Sequence, residues 1–251
     1  MSPAESAPRR RGLFVPGLFL LAALAALIAL GTWQLERKAW KEDLIATLDR
    51  KLSAAPSDLP APERWPRLDP AADEFRRVAF PAEFLPGQEA LVYSSGSSLR
   101  PDATGPGYWV FAPARLTGGS VVVVNRGFVP EGRQDPKTRP EGQPAGVIDI
   151  AGAMRWPEQR GSFTPKDETE KGLWFARDPA AMAAAKNWGT VAPFYIDQEA
   201  PLAPGGLPKA GPLKLSLPNN HMQYAVTWYG LALVILIAAA FFLHARRRET
   251  F

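Results

Sequence analysis

Cysteine is absent from the 251 residues, and histidine occurs only twice, at His221 and His244. The first absence excludes disulfides, thiolate metal sites and a cysteine nucleophile. The second leaves little room for a zinc site built from several imidazoles, or for a Ser-His-Asp triad in a soluble domain. No phosphate-cradling glycine loop, paired-carboxylate motif or nucleophile elbow is present, so no enzyme is expected. Proline is abundant instead. Its 26 residues argue against a mostly helical protein, because proline breaks helix interiors.

Charge is missing from two long stretches. Residues 12–35 carry none, with 13–30 the most apolar part, and residues 222–243 carry none. A hydrocarbon core of roughly 30 Å needs about 20 helical residues, so each stretch is long enough to span a membrane. Arg9, Arg10 and Arg11 would also suit a cleaved signal peptide. The apolar run that follows exceeds the usual ~7 to 15 residues of such a leader, and Trp33 and a charged helix follow it in place of a cleavage site. An uncleaved anchor is expected. The alternative for the second stretch is a buried core helix. Its length, and Arg246, Arg247 and Arg248 just beyond it, argue for a second span.

Basic clusters flank both spans on their terminal sides, so the positive-inside rule places both termini in the cytoplasm. The six tail arginines against Glu5 and Glu249 account for the whole formal charge of +4. The remainder is neutral, which leaves no basic face for nucleic acid. Trp33 at one boundary and Tyr224, Trp228 and Tyr229 at the other fit an aromatic interface belt in contact with lipid. The expected division is a tail at 1–11, spans at 12–35 and 222–243, an outer domain at 36–221 and a tail at 244–251. In a bacterium this is an inner-membrane protein with a periplasmic central domain.

Helical periodicity continues past the first span through Trp33, Trp40, Leu44, Leu48 and Leu52. Pro56, Pro60, Pro62, Pro66 and Pro70 then read as an extended connector. Strands are expected at 76–80, 90–95, 108–116, 120–128, 147–154, 193–196 and 213–217. Thr117-Gly118-Gly119 makes a hairpin between two of them. Asp178-Pro179 starts a helix, with aspartate as N-cap and proline in the first turn. The expected fold is an α+β membrane protein: two transmembrane helices bracketing a mostly antiparallel β-domain, barrel-like or a strongly curved sheet.

The sharpest constellation lies where the outer domain enters the second span. On a helix, His221, Tyr224, Ala225 and Trp228 share a face at offsets of three, four and seven. A neutral imidazole there can ligate haem iron with aromatic side chains against the macrocycle, or it can bond a backbone carbonyl among belt residues. Spacing alone leaves both open. His244, beside the terminal arginines, reads as a headgroup contact. Arg126, in Asn125-Arg126-Gly127-Phe128, can hold a carboxylate such as a haem propionate, or form a structural ion pair.

Three segments together resemble the Surfeit-locus protein 1 family of cytochrome c oxidase assembly factors. The first is Gly31-Thr32-Trp33-Gln34-Leu35-Glu36-Arg37-Lys38. The second is Asn125-Arg126-Gly127-Phe128-Val129-Pro130. The third is Asn220-His221-Met222-Gln223-Tyr224 through Trp228-Tyr229-Gly230. Phe163-Thr164-Pro165, Trp174 and Arg177-Asp178 fit a further family pattern. One departure is Ala82, where the family often has glycine. The resemblance implies a membrane hairpin with an outer soluble domain, acting in maturation of subunit I of a haem-copper oxidase by supplying or inserting haem a. It implies His221 as a ligand of the haem iron, with Trp228 and Tyr224 beside the ring. The outer end of the first span, near Trp33 and Gln34, would close the pocket. Subunit I is the implied partner, with haem a synthase as a second. The alternative is a scaffold that stabilises a subunit I intermediate without holding haem.

Overall fold

The structure, a computed structural model, describes residues 14–97, 99–214 and 218–248. The expected tail at 1–11, the last tail residues from 249 on and part of the expected strand at 213–217 lie outside these. The chain forms two compact units. One holds the described residues up to Leu44 and from Pro218 onward; the other holds the residues between.

The first unit pairs the outer helices. Helix α1 runs Phe14–Ser53, and the last helix, α4, runs His221–Arg248. Both are long and apolar enough to cross a membrane, and only 11% and 6% of their most apolar windows are buried. Neither is therefore the core helix of a soluble protein. At 40 residues, α1 is about twice the length a bilayer core requires. Between residues 24 and 41 of α1 the protected positions fall at Leu24, Leu27, Gly31, Gln34, Lys38 and Lys41. Those on α4 fall at His221, Ala225, Trp228, Ala232, Ile235 and Ala239. Steps of three and four residues give each helix one straight seam, as in a left-handed helix pair. Small residues in both seams let the backbones approach.

The second unit is the β-domain. Its strands are β1 (Ser57–Asp58), β2 (Arg77–Phe84), β3 (Ala90–Gly96), β4 (Thr104–Leu116), β5 (Val121–Pro130), β6 (Val147–Arg155), β7 (Leu173–Trp174) and β8 (Val191–Ala200). They lie in the order β1-β2-β6-β8-β5-β4-β3-β7, and an additional β2–β4 pairing closes a five-stranded barrel of β2, β4, β5, β6 and β8. Most pairs are antiparallel; β5–β8, β1–β2 and β3–β7 are parallel. The parallel β5–β8 pair requires a crossover, which carries β6, β7 and the helix α3 (Pro179–Lys186).

The alternating pattern of each strand decides what fills the barrel. Val78, Phe80, Ala82 and Phe84 of β2, Val122 and Val124 of β5, Ile150 and Met154 of β6, and Phe194 and Ile196 of β8 form the inner core. Trp65 joins it, its Nε1 donating to the Pro60 carbonyl at 2.7 Å and its ring edge-on to Phe194. The opposite faces of β4, β5 and β8 pack with α3, Trp174 and Trp188. Strands covered on both sides need no polar face, which accounts for the unbroken Val121–Val124 run.

The connector before β2 is not simply extended. Pro62 opens a 3-10 helix over Pro62–Arg67, and Pro70 opens a one-turn helix, α2 (Pro70–Asp73), capped by the Asp69 carboxylate. Proline is suited to the first turn, where its missing N–H has no partner to lose. Leu213 and Lys214 form no strand, although Leu213 is buried. Their backbone joins a loop, with the Lys214 N–H donating to the Leu99 carbonyl.

Candidate functional site

Gln34 is the anomaly in the helix pair. It is a primary amide only 9% exposed in a seam otherwise made largely of small and apolar residues. An unpaired amide there would cost several kcal/mol, on the order of 2–7. Its partner is His221, whose Nδ1 lies 2.7 Å from Gln34 Oε1. An amide oxygen only accepts, so Nδ1 carries the proton. Nε2 of the neutral ring then keeps its lone pair, the state needed to bind a metal. A hydrogen bond to the second ring nitrogen fixes tautomer and ring orientation in metal-ligating histidines generally.

Helix α4 begins at His221, where the Asn220 carbonyl accepts the Tyr224 N–H at 3.3 Å. Trp228 follows two turns later on the same face, half-buried. Its indole Nε1 is buried without a hydrogen-bond partner among the described residues, and so is Asn219 Oδ1. Tyr224 and Trp33 are about half exposed and face outward from the seam. The structure therefore brings His221, Gln34 and Trp228 onto one seam and leaves Trp33 and Tyr224 on the outer surface of the same unit.

A contact that spacing did not suggest joins Tyr229 to α1. Its hydroxyl lies 3.1 Å from Thr32 Oγ1, and its ring covers Gly31 so closely that a Cβ there would stand 2.8 Å from ring carbons. Lys41 Nζ donates to the Pro218 carbonyl just before α4. Along the unit, the contacts run from Gly31 and Tyr229 through Gln34 and His221 to Lys41 and Pro218, so α1 and α4 are antiparallel.

The Asn125-Arg126-Gly127 segment serves the β-domain. Asn125 Nδ2 donates to Asp197 Oδ1 at 2.6 Å, tying β5 to β8, and its Oδ1 accepts the Gly127 N–H. Gly127 has φ +122°, and a Cβ there would lie 2.4 Å from the Lys209 backbone. Arg126 is buried against Glu89, at 3.0 Å, with the Phe84 ring beneath its guanidinium. The carboxylate that meets Arg126 here is a protein one, as the ion-pair alternative expected. Asp197 also accepts from Arg155 at 2.9 Å, and Arg155 reaches Glu74 at 2.7 Å. Burial pushes the neighbouring Tyr195 phenol up, and the Asp197 carboxylate adds to that rise. Among the described residues no group of three or more acidic or imidazole side chains is placed to hold a metal ion.

These features define a class: a small closed β-barrel on a chain with two membrane-type helices, whose helix pair presents one oriented imidazole. The model of the SURF1 family matches residues 21–233. The chain is 37% identical to Surfeit locus protein 1 of Rattus norvegicus over 224 residues, covering 85% of this chain and 71% of that protein. It is 34% identical to Surfeit locus protein 1 of Homo sapiens over 231 residues, covering 87% and 74%. A SURF1-like protein of Monosiga brevicollis is 36% identical over 245 residues, 94% of this chain and 89% of that one. The chain belongs to the SURF1 family.

Proposed function

We propose that this protein is an assembly factor for a haem-copper (cytochrome c) oxidase, and that it binds haem a at His221 on the way to subunit I. The observation that carries the reading is the Gln34–His221 hydrogen bond, which leaves Nε2 as the free nitrogen. Haem, if bound here, would supply an iron to which the His221 imidazole could bond. Gln34 holds the ring against rotation and holds the proton on Nδ1. The Trp228 N–H, buried and without a hydrogen-bond partner among the described residues, offers a donor to a polar substituent of a bound group. Trp33 and Tyr224 supply exposed aromatic surface on the same unit. A single protein ligand suits a carrier, because delivery requires weaker binding than the final enzyme provides.

The working topology is that of a bacterial inner-membrane protein with both termini cytoplasmic and the barrel periplasmic, in reach of subunit I and of haem a synthase. It rests on the positive-inside asymmetry of the sequence. A second reading, a scaffold for subunit I without haem, draws on the same hydrogen bond. It ties α1 to α4 whether or not Nε2 is used. An absorption spectrum of detergent-purified protein from cells that make haem a separates the two. A Soret band with the α-band of haem a is expected; a bare spectrum favours the scaffold.

A further inference from the structure

Helix α4 has a second organised face near its other end, roughly 35 Å along the axis from His221. An open notch of about 290 Å³ is lined there by Ile237, Ala240, Phe241 and His244. Offsets of three, four and seven residues put these side chains in one stripe. Continued by steps of three and four, the stripe runs through Arg247 and Arg248. The packed seam through Ile235 and Ala239 reaches Arg246 instead, roughly a third of a turn away.

The stripe changes character along its length. Ile237 and Phe241 are exposed apolar side chains on a helix apolar enough to cross a membrane, and the small Ala240 between them leaves the notch. His244, Arg247 and Arg248 follow, all exposed, and their side chains have no hydrogen-bond or ion-pair partner among the described residues. Glu249 is the only acidic residue after Glu199, so three arginines against one glutamate leave residues 244–249 at a net +2. The helix end carries a partial negative charge, but arginine side chains are long enough to hold theirs beyond it. An apolar notch with guanidinium and imidazole N–H donors at its mouth matches an amphiphile with an anionic head, and a phosphodiester accepts several such hydrogen bonds. A zwitterionic headgroup brings an ammonium beside its phosphate, which the arginines repel; an anionic headgroup brings none.

We propose that this stripe holds an anionic glycerophospholipid of the bilayer, its phosphate on His244, Arg247 and Arg248 and an acyl chain in the notch at Ala240. The site lies wholly on α4 and is independent of haem at His221.

Because the chain has no cysteine, Leu236→Cys gives a unique attachment point for a bimane fluorophore beside the notch. The labelled full chain is reconstituted in phosphatidylcholine vesicles that contain a small fraction of either phosphatidylglycerol or phosphatidylcholine with brominated chains. Bromine quenches bimane at close range, so the two quenching curves give the relative affinity of the two lipids at this stripe. A preference for phosphatidylglycerol of about fivefold or more is expected. Arg247→Gln with Arg248→Gln is expected to bring the ratio close to one. Ala240→Trp fills the notch and keeps every charge; it is expected to lower the ratio severalfold, because no chain is then seated beside the label. All these positions face outward, so the helices are expected to form in each variant, and circular dichroism checks this. Equal quenching by the two lipids overturns the proposal. So does a preference that persists in the double glutamine variant, or one that Ala240→Trp leaves unchanged, since the arginines would then act only as diffuse surface charge.

Discussion

A buried glutamine in a helix seam is tolerated only with a partner; the partner of Gln34 is His221, whose Nδ1 it engages at 2.7 Å. Gln34→Leu removes the acceptor at Nδ1 while keeping side-chain bulk. The ring is then free to rotate and to carry its proton on either nitrogen. Outer partners of metal-ligating histidines are worth about 10–100-fold in affinity. Haem retention by Gln34→Leu, measured by transfer to apomyoglobin, is therefore expected to fall by about that factor. Equal retention would limit Gln34 to a structural role. Elsewhere in the chain, Arg100 fixes Asp102 with two hydrogen bonds of 2.9 Å. That hydrogen bonding, the largest cause, holds the Asp102 carboxyl well below the usual carboxylate range, and burial opposes it. A depressed folded pKa stabilises the fold above the unfolded value of about 3.9 and loses that contribution as pH falls toward the folded value. Asp102→Asn is thus expected to lower the melting temperature at pH 7, with the gap to wild type narrowing below about pH 4. A gap that stays constant with pH would contradict the pairing.

At the scale of elements, the strands were legible where burial alternates and obscure where polar residues are buried. Sequence pattern places a strand only at 193–196, whereas β8 continues to Ala200. The missed residues, Asp197, Gln198 and Glu199, look like a loop but are buried, and Asp197 and Glu199 pair with Arg155 and Arg77. A one-dimensional pattern does not contain those partners. The helix seam was hidden for the opposite reason. Both spans are apolar all round, so the packed face is marked by small residues and by Gln34, not by hydrophobicity. The first signature suggested Gln34 as a site residue, but its hydrogen bond to a residue 187 positions away did not follow from spacing. The seam makes its own prediction. Because the chain has no cysteine, Gln34→Cys with His221→Cys creates a unique thiol pair. A short bifunctional thiol reagent is expected to join them. Adding Gly31→Val, whose side chain would strike the Tyr229 ring, is expected to reduce the crosslinked fraction severalfold. An undiminished yield would mean that α1 and α4 do not pack through Gly31.

For the molecule as a whole, composition already separated the parts. Charge-free stretches marked the two spans, proline marked the connector, and alternating strands marked the barrel. Barrel closure was less accessible, because it depends on β2 pairing with β4 at Ala82–Leu116 as well as with β6 along its other edge. The proposed topology predicts that trypsin added to spheroplasts cleaves the β-domain, while the same protease added to inverted vesicles leaves it intact. Digestion in inverted vesicles would reverse the orientation. The central claim concerns one nitrogen atom, Nε2 of His221, and it is tested most directly by haem content per chain in His221→Ala against wild type, both purified from cells that make haem a. The expected result is haem in the wild-type protein and its loss in a variant that remains folded. Equal haem content in the two proteins would contradict the account.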